Sequence, residues 1–237
     1  MREGRAVKSG IGLKQRENPE FLPAFLISQK SKIFASFPPG EAFWALPRQC
    51  NLEMGVEALR MIHLTEKDYK VGLWSGGSTT ELFIWPEGAD YARREFTLRV
   101  SSARVDLDES DFTPLMGVTR YIMPLSGGFT LTHPGCAPVV MGPMAEPYRF
   151  SGEISTHCVG KATDFNLMLK GAEGEMVLCQ EVWHLRPGFN CLYAVEDTVV
   201  ALEFGYALKA GELLVAFADV PSTAAISAKT LVCFADV

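Results

Sequence analysis

The chain has 237 residues, 48% of them hydrophobic and 21% charged, with a formal net charge of -6. That length and composition fit one large or two fused small globular domains, able to bury a core without disulfide or metal staples, and argue against bulk disorder. No apolar run approaches the roughly 18 residues needed to span a bilayer, and an acidic chain lacks the basic footprint that nucleic acid demands, so neither a membrane nor a nucleic acid is expected as a partner.

Residues 1–60 carry nine Lys/Arg against six Asp/Glu, whereas residues 61–237 carry 13 against 22. Residues 1–53 lack clear periodicity and contain Pro19, Pro23, Pro38, Pro39 and Pro47 among aromatic patches such as FLPAFLI. They read as an N-terminal extension, loosely structured or arising from a mis-assigned translation start. Arg2, Arg5 and Lys8 are followed by polar residues and not by an apolar signal core, so a cytoplasmic location is expected. The domain proper is expected over 61–237.

From Met61 the pattern changes to short segments punctuated by Gly and Pro. MIHL reads as a first strand, and Thr65 before Glu66-Lys67-Asp68 suits a short capped helical turn. TTELFIWP, REFTLRVSSARV, TRYIMPLSG, GFTLTH, APVVMG, YRFSG, STHCVG, FNLMLKG, EMVLCQEVWHL, CLYAVE, TVVALEFG, ELLVAFADV and KTLVCFADV follow as strands, rich in β-branched and aromatic residues, several with period two. Ser126-Gly127-Gly128 and Pro187-Gly188 read as turns, the first within a hairpin. This density of strands predicts an all-β jelly-roll sandwich or barrel. Leu214–Val220 is echoed by Leu231–Val237, which suggests either two edge or return strands of similar burial or a terminal duplication.

The six cysteines, Cys50, Cys136, Cys158, Cys179, Cys191 and Cys233, form no CxxC pair and read as free thiols, most of them buried. The four histidines, His63, His133, His157 and His184, are scattered without ligand spacing, so no metal and no cofactor is expected.

Three segments carry candidate chemistry. Trp74-Ser75-Gly76-Gly77-Ser78-Thr79-Thr80-Glu81 is either a structural turn or a ligand-lining loop, and matches neither a phosphate-binding loop nor a dinucleotide fingerprint. In Phe96–Ala103, Arg99, Ser101 and Ala103 share one strand face, and a lumen-facing Arg99 must meet a carboxylate or a bound anion. Arg120 poses the same choice between lumen and surface. Asp164 and Asn166, two apart, project the same way and either present polar groups to a ligand or satisfy a local turn.

In this order, Trp74–Glu81, Arg99–Ala103, Phe112, Gly117, Arg120, Leu125–Gly128, Phe150–Gly152 and Asp164–Met168, the segments resemble the HutD/Ves family, best over about 61–170. The resemblance implies a cupin-like, bicupin-type double barrel in one chain, without the histidine-rich metal motif of typical cupins. It further implies binding of a histidine-degradation intermediate, such as urocanate or formimidoylglutamate, in a regulatory role, with no established reaction. This chain departs from the family's Trp-Lys-Asn-Gly-Gly-Gly pattern, since Ser75 and Gly76 follow Trp74.

The expectation is therefore a non-enzymatic protein that binds a small anionic metabolite, with a homodimer left open. Arg99 and Arg120 would hold its carboxylate, Trp74 would wall it, and Glu81, Ser101, Asp164 and Asn166 would complete the site. The alternatives are a metal-independent isomerase or hydrolase using Glu81 or His157 as proton shuttle, and a protein-interaction module with 1–53 as a docking arm.

Overall fold

We describe residues 59–237 of a computed structural model of the chain. The expected extension over 1–53, and Cys50 with it, lies outside these residues. The strands run Arg60–Leu64 (β1), Lys70–Trp74 (β2), Gly77–Trp85 (β3), Leu98–Val105 (β4), Glu109–Phe112 (β5), Val118–Gly127 (β6), Phe129–Thr132 (β7), Val139–Met141 (β8), Tyr148–Ser151 (β9) and Thr156–Val159 (β10). They continue through Ala162–Lys170 (β11), Gly174–Cys179 (β12), Val182–Leu185 (β13), Gly188–Ala194 (β14), Thr198–Ala201 (β15), Gly205–Leu208 (β16), Leu213–Ala218 (β17), Ser222–Ile226 (β18) and Thr230–Ala235 (β19). The expected capped turn is a short 3-10 segment at Glu66–Asp68, where the backbone N–H and hydroxyl of Thr65 both donate to Asp68 Oδ2 at 2.9 Å.

The expectation of an all-β chain holds. The pairings are antiparallel and build four sheets, ordered β2-β3-β4-β11-β6-β9, β5-β10-β7-β8, β1-β17-β14-β19-β12 and β13-β18-β15-β16. None of them closes on itself among the described residues. The first two sheets face each other over Ile122, Phe129, Leu131, Met141, Phe150 and Cys158. The last two enclose Leu185, Leu192, Val200, Leu214, Ile226 and Val232. The six- and five-stranded sheets pack back to back through Leu98, Val100, Phe165 and Leu167 against Phe189, Cys191, Val215 and Cys233. Each such large apolar side chain contributes roughly 1.5–3 kcal/mol on burial, so β11, which is covered on both faces, holds the first half of the domain together.

Five sequence expectations need correction. Ser126-Gly127-Gly128 does not form a hairpin, because β6 and β7 belong to different sheets and the chain crosses between them there. Gly127 makes that corner at φ +70°, where an added Cβ would lie 2.3 Å from the Lys161 carbonyl oxygen. EMVLCQEVWHL is two strands, since the chain leaves one sheet after Cys179 and enters another at Val182, and TVVALEFG folds into the β15–β16 hairpin. The short strands β2, β5 and β18 were not anticipated; each lacks a continuous apolar run. The echoed segments are β17 and β19, which are interior strands and not edge strands. They flank β14 on either side with the same burial pattern, so similar sequence reflects equivalent places in one sheet.

Candidate functional site

The register of the six-stranded sheet assembles the candidate residues. Met168 on β11 lies opposite Arg99 on β4 and Arg120 on β6, so the two arginines occupy one row across the sheet. In the next row Asn166 lies opposite Ser101, which in turn lies opposite Glu81 on β3. One row further, Asp164 lies opposite Ala103. Alternation along each strand turns Leu98, Val100, Phe165 and Leu167 to the central core and leaves these polar residues facing the four-stranded sheet.

Both arginines are inside, at 5% exposure for Arg99 and 7% for Arg120. A buried guanidinium is tolerated only with partners. Arg99 Nε donates to Glu81 Oε2 at 2.8 Å and Nη1 donates to Ser101 Oγ at 3.1 Å. Its guanidinium also covers the ring of Tyr91 at 4.1 Å. Arg120 Nη2 donates to Asn166 Oδ1 at 2.9 Å, and Asn166 Nδ2 donates to Asp164 Oδ1. The Arg120 guanidinium lies 4.5 Å from the ring centre of Phe112 and 5.3 Å from that of Phe150. Its Nε is buried without a hydrogen-bond partner among the described residues.

Burial governs the charges. Desolvation raises the Asp164 carboxyl to about 7, against the opposing pull of Arg120. Desolvation likewise lowers Arg120 to about 10, with Asp164 acting to restore it. The neighbouring Cys158 thiol is pushed up to about 11, mainly by burial.

Six of the seven candidates thus lie on one face: Glu81, Arg99, Ser101, Arg120, Asp164 and Asn166. Trp74 stands apart, at the end of edge strand β2, 40% exposed and folded over the turn at Gly76. The loop that follows it is the tight β2–β3 hairpin. His157 projects from the outer face of the four-stranded sheet, where Nδ1 meets Asp111 at 2.9 Å, so it does not serve the interior.

Sequence reasoning missed His133. It is buried at 3% exposure, its Nδ1 lies 3.2 Å from Thr156 Oγ1, and its ring packs on Phe150 and Tyr148. The signal was available, since His133 continues the inward parity of Phe129 and Leu131. Elsewhere, a surface cleft of about 470 Å³ is lined by Thr65, Glu66, Lys67, Tyr69, Lys209 and Glu212, and none of the buried cluster reaches it. Among the described residues, no group of three or more His, Cys, Asp or Glu is arranged to hold a metal ion, and no helix is long and apolar enough to cross a membrane.

Residues 66–233 match the HutD family. The chain belongs to that family. HutD from Pseudomonas fluorescens SBW25 has a similar fold, with 20% identity and a TM-score of 0.64, covering 74% of this chain and 98% of that one. A conserved protein of unknown function from Pseudomonas aeruginosa PAO1 is 25% identical with a TM-score of 0.62, covering 73% of this chain and 96% of that one. YlbA from E. coli, at 10% identity and a TM-score of 0.52, covers 76% of this chain and 93% of that one. A search of the curated proteins finds no match. This HutD chain therefore has a cupin-like, all-β fold, as the resemblance implied, and the family match extends well beyond the 61–170 segments that carried it.

Proposed function

We propose that this HutD protein binds a small carboxylate between the six-stranded sheet and the four-stranded sheet that faces it, without catalysing a reaction. Each pair of facing sheets then acts as one jelly-roll half of a bicupin-type double barrel, and the first half is the receptor. The observation that carries this reading is the buried Nε of Arg120, which has no hydrogen-bond partner among the described residues. A guanidinium donor held dry between Phe112 and Phe150 favours an anionic acceptor strongly, because little solvent competes for it. Arg99 is neutralised by Glu81 and serves to shape the site more than to charge it. A histidine-degradation intermediate, sensed in order to restrain its own pathway, is the ligand class that family membership favours.

Isothermal titration with a panel of small carboxylates, including urocanate and formimidoylglutamate, tests the reading. Saturable heat is expected for at least one acid, with affinity falling tenfold or more in Arg120→Gln at preserved thermal stability. Folded protein that gives no heat with any acid overturns it.

Asp164 favours one second reading. A buried carboxyl titrating near 7 is suited to proton transfer, so a metal-independent isomerase or hydrolase would use it. Turnover of a bound acid, lost in Asp164→Asn with binding intact, would select that reading over the first.

A further inference from the structure

Two buried side-chain polar atoms among the described residues lack a hydrogen-bond partner, Arg120 Nε and His133 Nε2. They come from opposite sheets and converge on one ring. The Arg120 guanidinium and the His133 ring each lie 5.3 Å from the centre of Phe150, one from β6 and the other from the residue that follows β7. Tyr148 stacks on both Phe150 and His133, at 5.6 and 5.8 Å, which extends a flat aromatic wall beside the pair.

The hydrogen-bond network decides what His133 offers. The Thr156 hydroxyl has one hydrogen, and it points to the Ile154 carbonyl at 3.0 Å. With that hydrogen assigned to Ile154, the 3.2 Å contact between Thr156 Oγ1 and His133 Nδ1 is assigned as Nδ1–H donating to oxygen. In the neutral ring this leaves Nε2 as a bare acceptor. Arg120 Nε, by contrast, is a donor only. Leaving either atom unmet in the interior is costly.

We infer that Arg120 and His133 form a two-point subsite for a flat acid that carries an N–H donor as well as its carboxylate, with Arg120 holding the carboxylate and His133 Nε2 accepting the N–H. This rests on the reading of the same interior as a carboxylate site and adds a specificity element to it. An acid with an oxygen where the N–H should be would leave His133 unpaired and be discriminated against. The aromatic wall of Tyr148 and Phe150 suits a conjugated ring.

The probes are pyrrole-2-carboxylate and 3-(pyrrol-2-yl)acrylate, each compared with its furan counterpart, which differs by N–H against ring oxygen. Titration of the wild-type protein is expected to show at least one pyrrole acid binding about tenfold tighter than its furan partner, the worth of one neutral hydrogen bond. His133→Phe keeps the ring stacking and removes the acceptor, so it should bring the ratio of pyrrole to furan affinity to about one. Arg120→Gln should weaken both acids of the pair. Equal wild-type affinity for both acids, with loss of both in Arg120→Gln, overturns the His133 role and leaves the carboxylate site standing. Binding of none of the four acids to folded protein overturns this inference, while the wider panel above decides the carboxylate site. Nitrogen NMR of histidine-labelled wild-type protein gives a readout independent of the variants' folding. The His133 Nε2 resonance should move on adding the pyrrole acid and not the furan acid, and a resonance unmoved by a bound pyrrole acid refutes the contact.

Discussion

Arg99 and Arg120 flank Met168 in one row of the six-stranded sheet, yet their charges are met in different ways. Arg99 is ion-paired directly to Glu81, whereas Arg120 reaches Asp164 through the amide of Asn166. They sit two strands apart, about 10 Å across the sheet. A directly paired arginine is structural first, and one whose carboxylate stands behind an amide retains donors for something else.

The Glu81–Arg99 pair should behave as a buried ion pair broken at one end. Glu81→Ala is expected to cost about 2–4 kcal/mol, because the nearly inaccessible guanidinium loses its counter-ion, and Glu81→Gln somewhat less. Replacing both residues with Met should recover much of the loss. Urea denaturation measures all of these, and a Glu81→Ala loss below about 0.5 kcal/mol would show that solvent already screens the pair.

Asp164 makes stability fall with rising pH. Its carboxyl is raised by burial to about 7 in the folded chain, against about 4 when unfolded. Between those values the folded state holds the extra proton, so this contribution is complete below about pH 4 and is lost as pH rises through about 7. The slope from one such group is at most about 1.4 kcal/mol per pH unit. Subtracting the Asp164→Asn profile from that of the wild type isolates it, and a flat difference from pH 4 to 7 would refute the assignment.

Asn166 bridges Arg120 to Asp164, accepting from one and donating to the other. Asn166→Leu keeps the volume and removes both contacts, so a loss of about 2–4 kcal/mol is expected from two buried polar groups left unmet. The loss should shrink at acid pH, where Asp164 is neutral, and thermal melts at pH 5 and 8 compare the two.

Glycine corners can be separated by what surrounds them. Gly117 and Gly127 have nearly the same φ, +69° and +70°, but an added Cβ meets nothing within 4 Å at the first and the Lys161 carbonyl at 2.3 Å at the second. Gly117→Ala should cost about 1 kcal/mol of backbone strain, and Gly127→Ala distinctly more, since the chain must also move off the carbonyl. Equal losses would mean that the corner at Gly127 is soft.

Much of the site was legible as parity along single strands. Arg99 with Ser101, and Asp164 with Asn166, share a face because side chains alternate with period two, and that follows from sequence alone. What parity cannot say is which face is dry. The apolar residues between them, Val100 and Phe165, turned out to serve the contact between the two halves, so both faces of β4 and β11 are buried. His133 was overlooked because its partners, Thr156 and Phe150, arrive from other strands. Trp74 lies apart from the other six because Trp74-Ser75-Gly76-Gly77 makes the β2–β3 hairpin at the sheet edge.

By itself, the sequence determined the all-β class, which side chains share a face along a strand and the family, since alternation, turn residues and ordered motifs are local properties of the chain. Only the tertiary structure decided which sheets face each other, that glycine corners carry the chain between sheets, and that Arg120 and His133 meet at Phe150. Those depend on pairings among strands distant in sequence, where register and packing, and not local preference, choose each residue's neighbours.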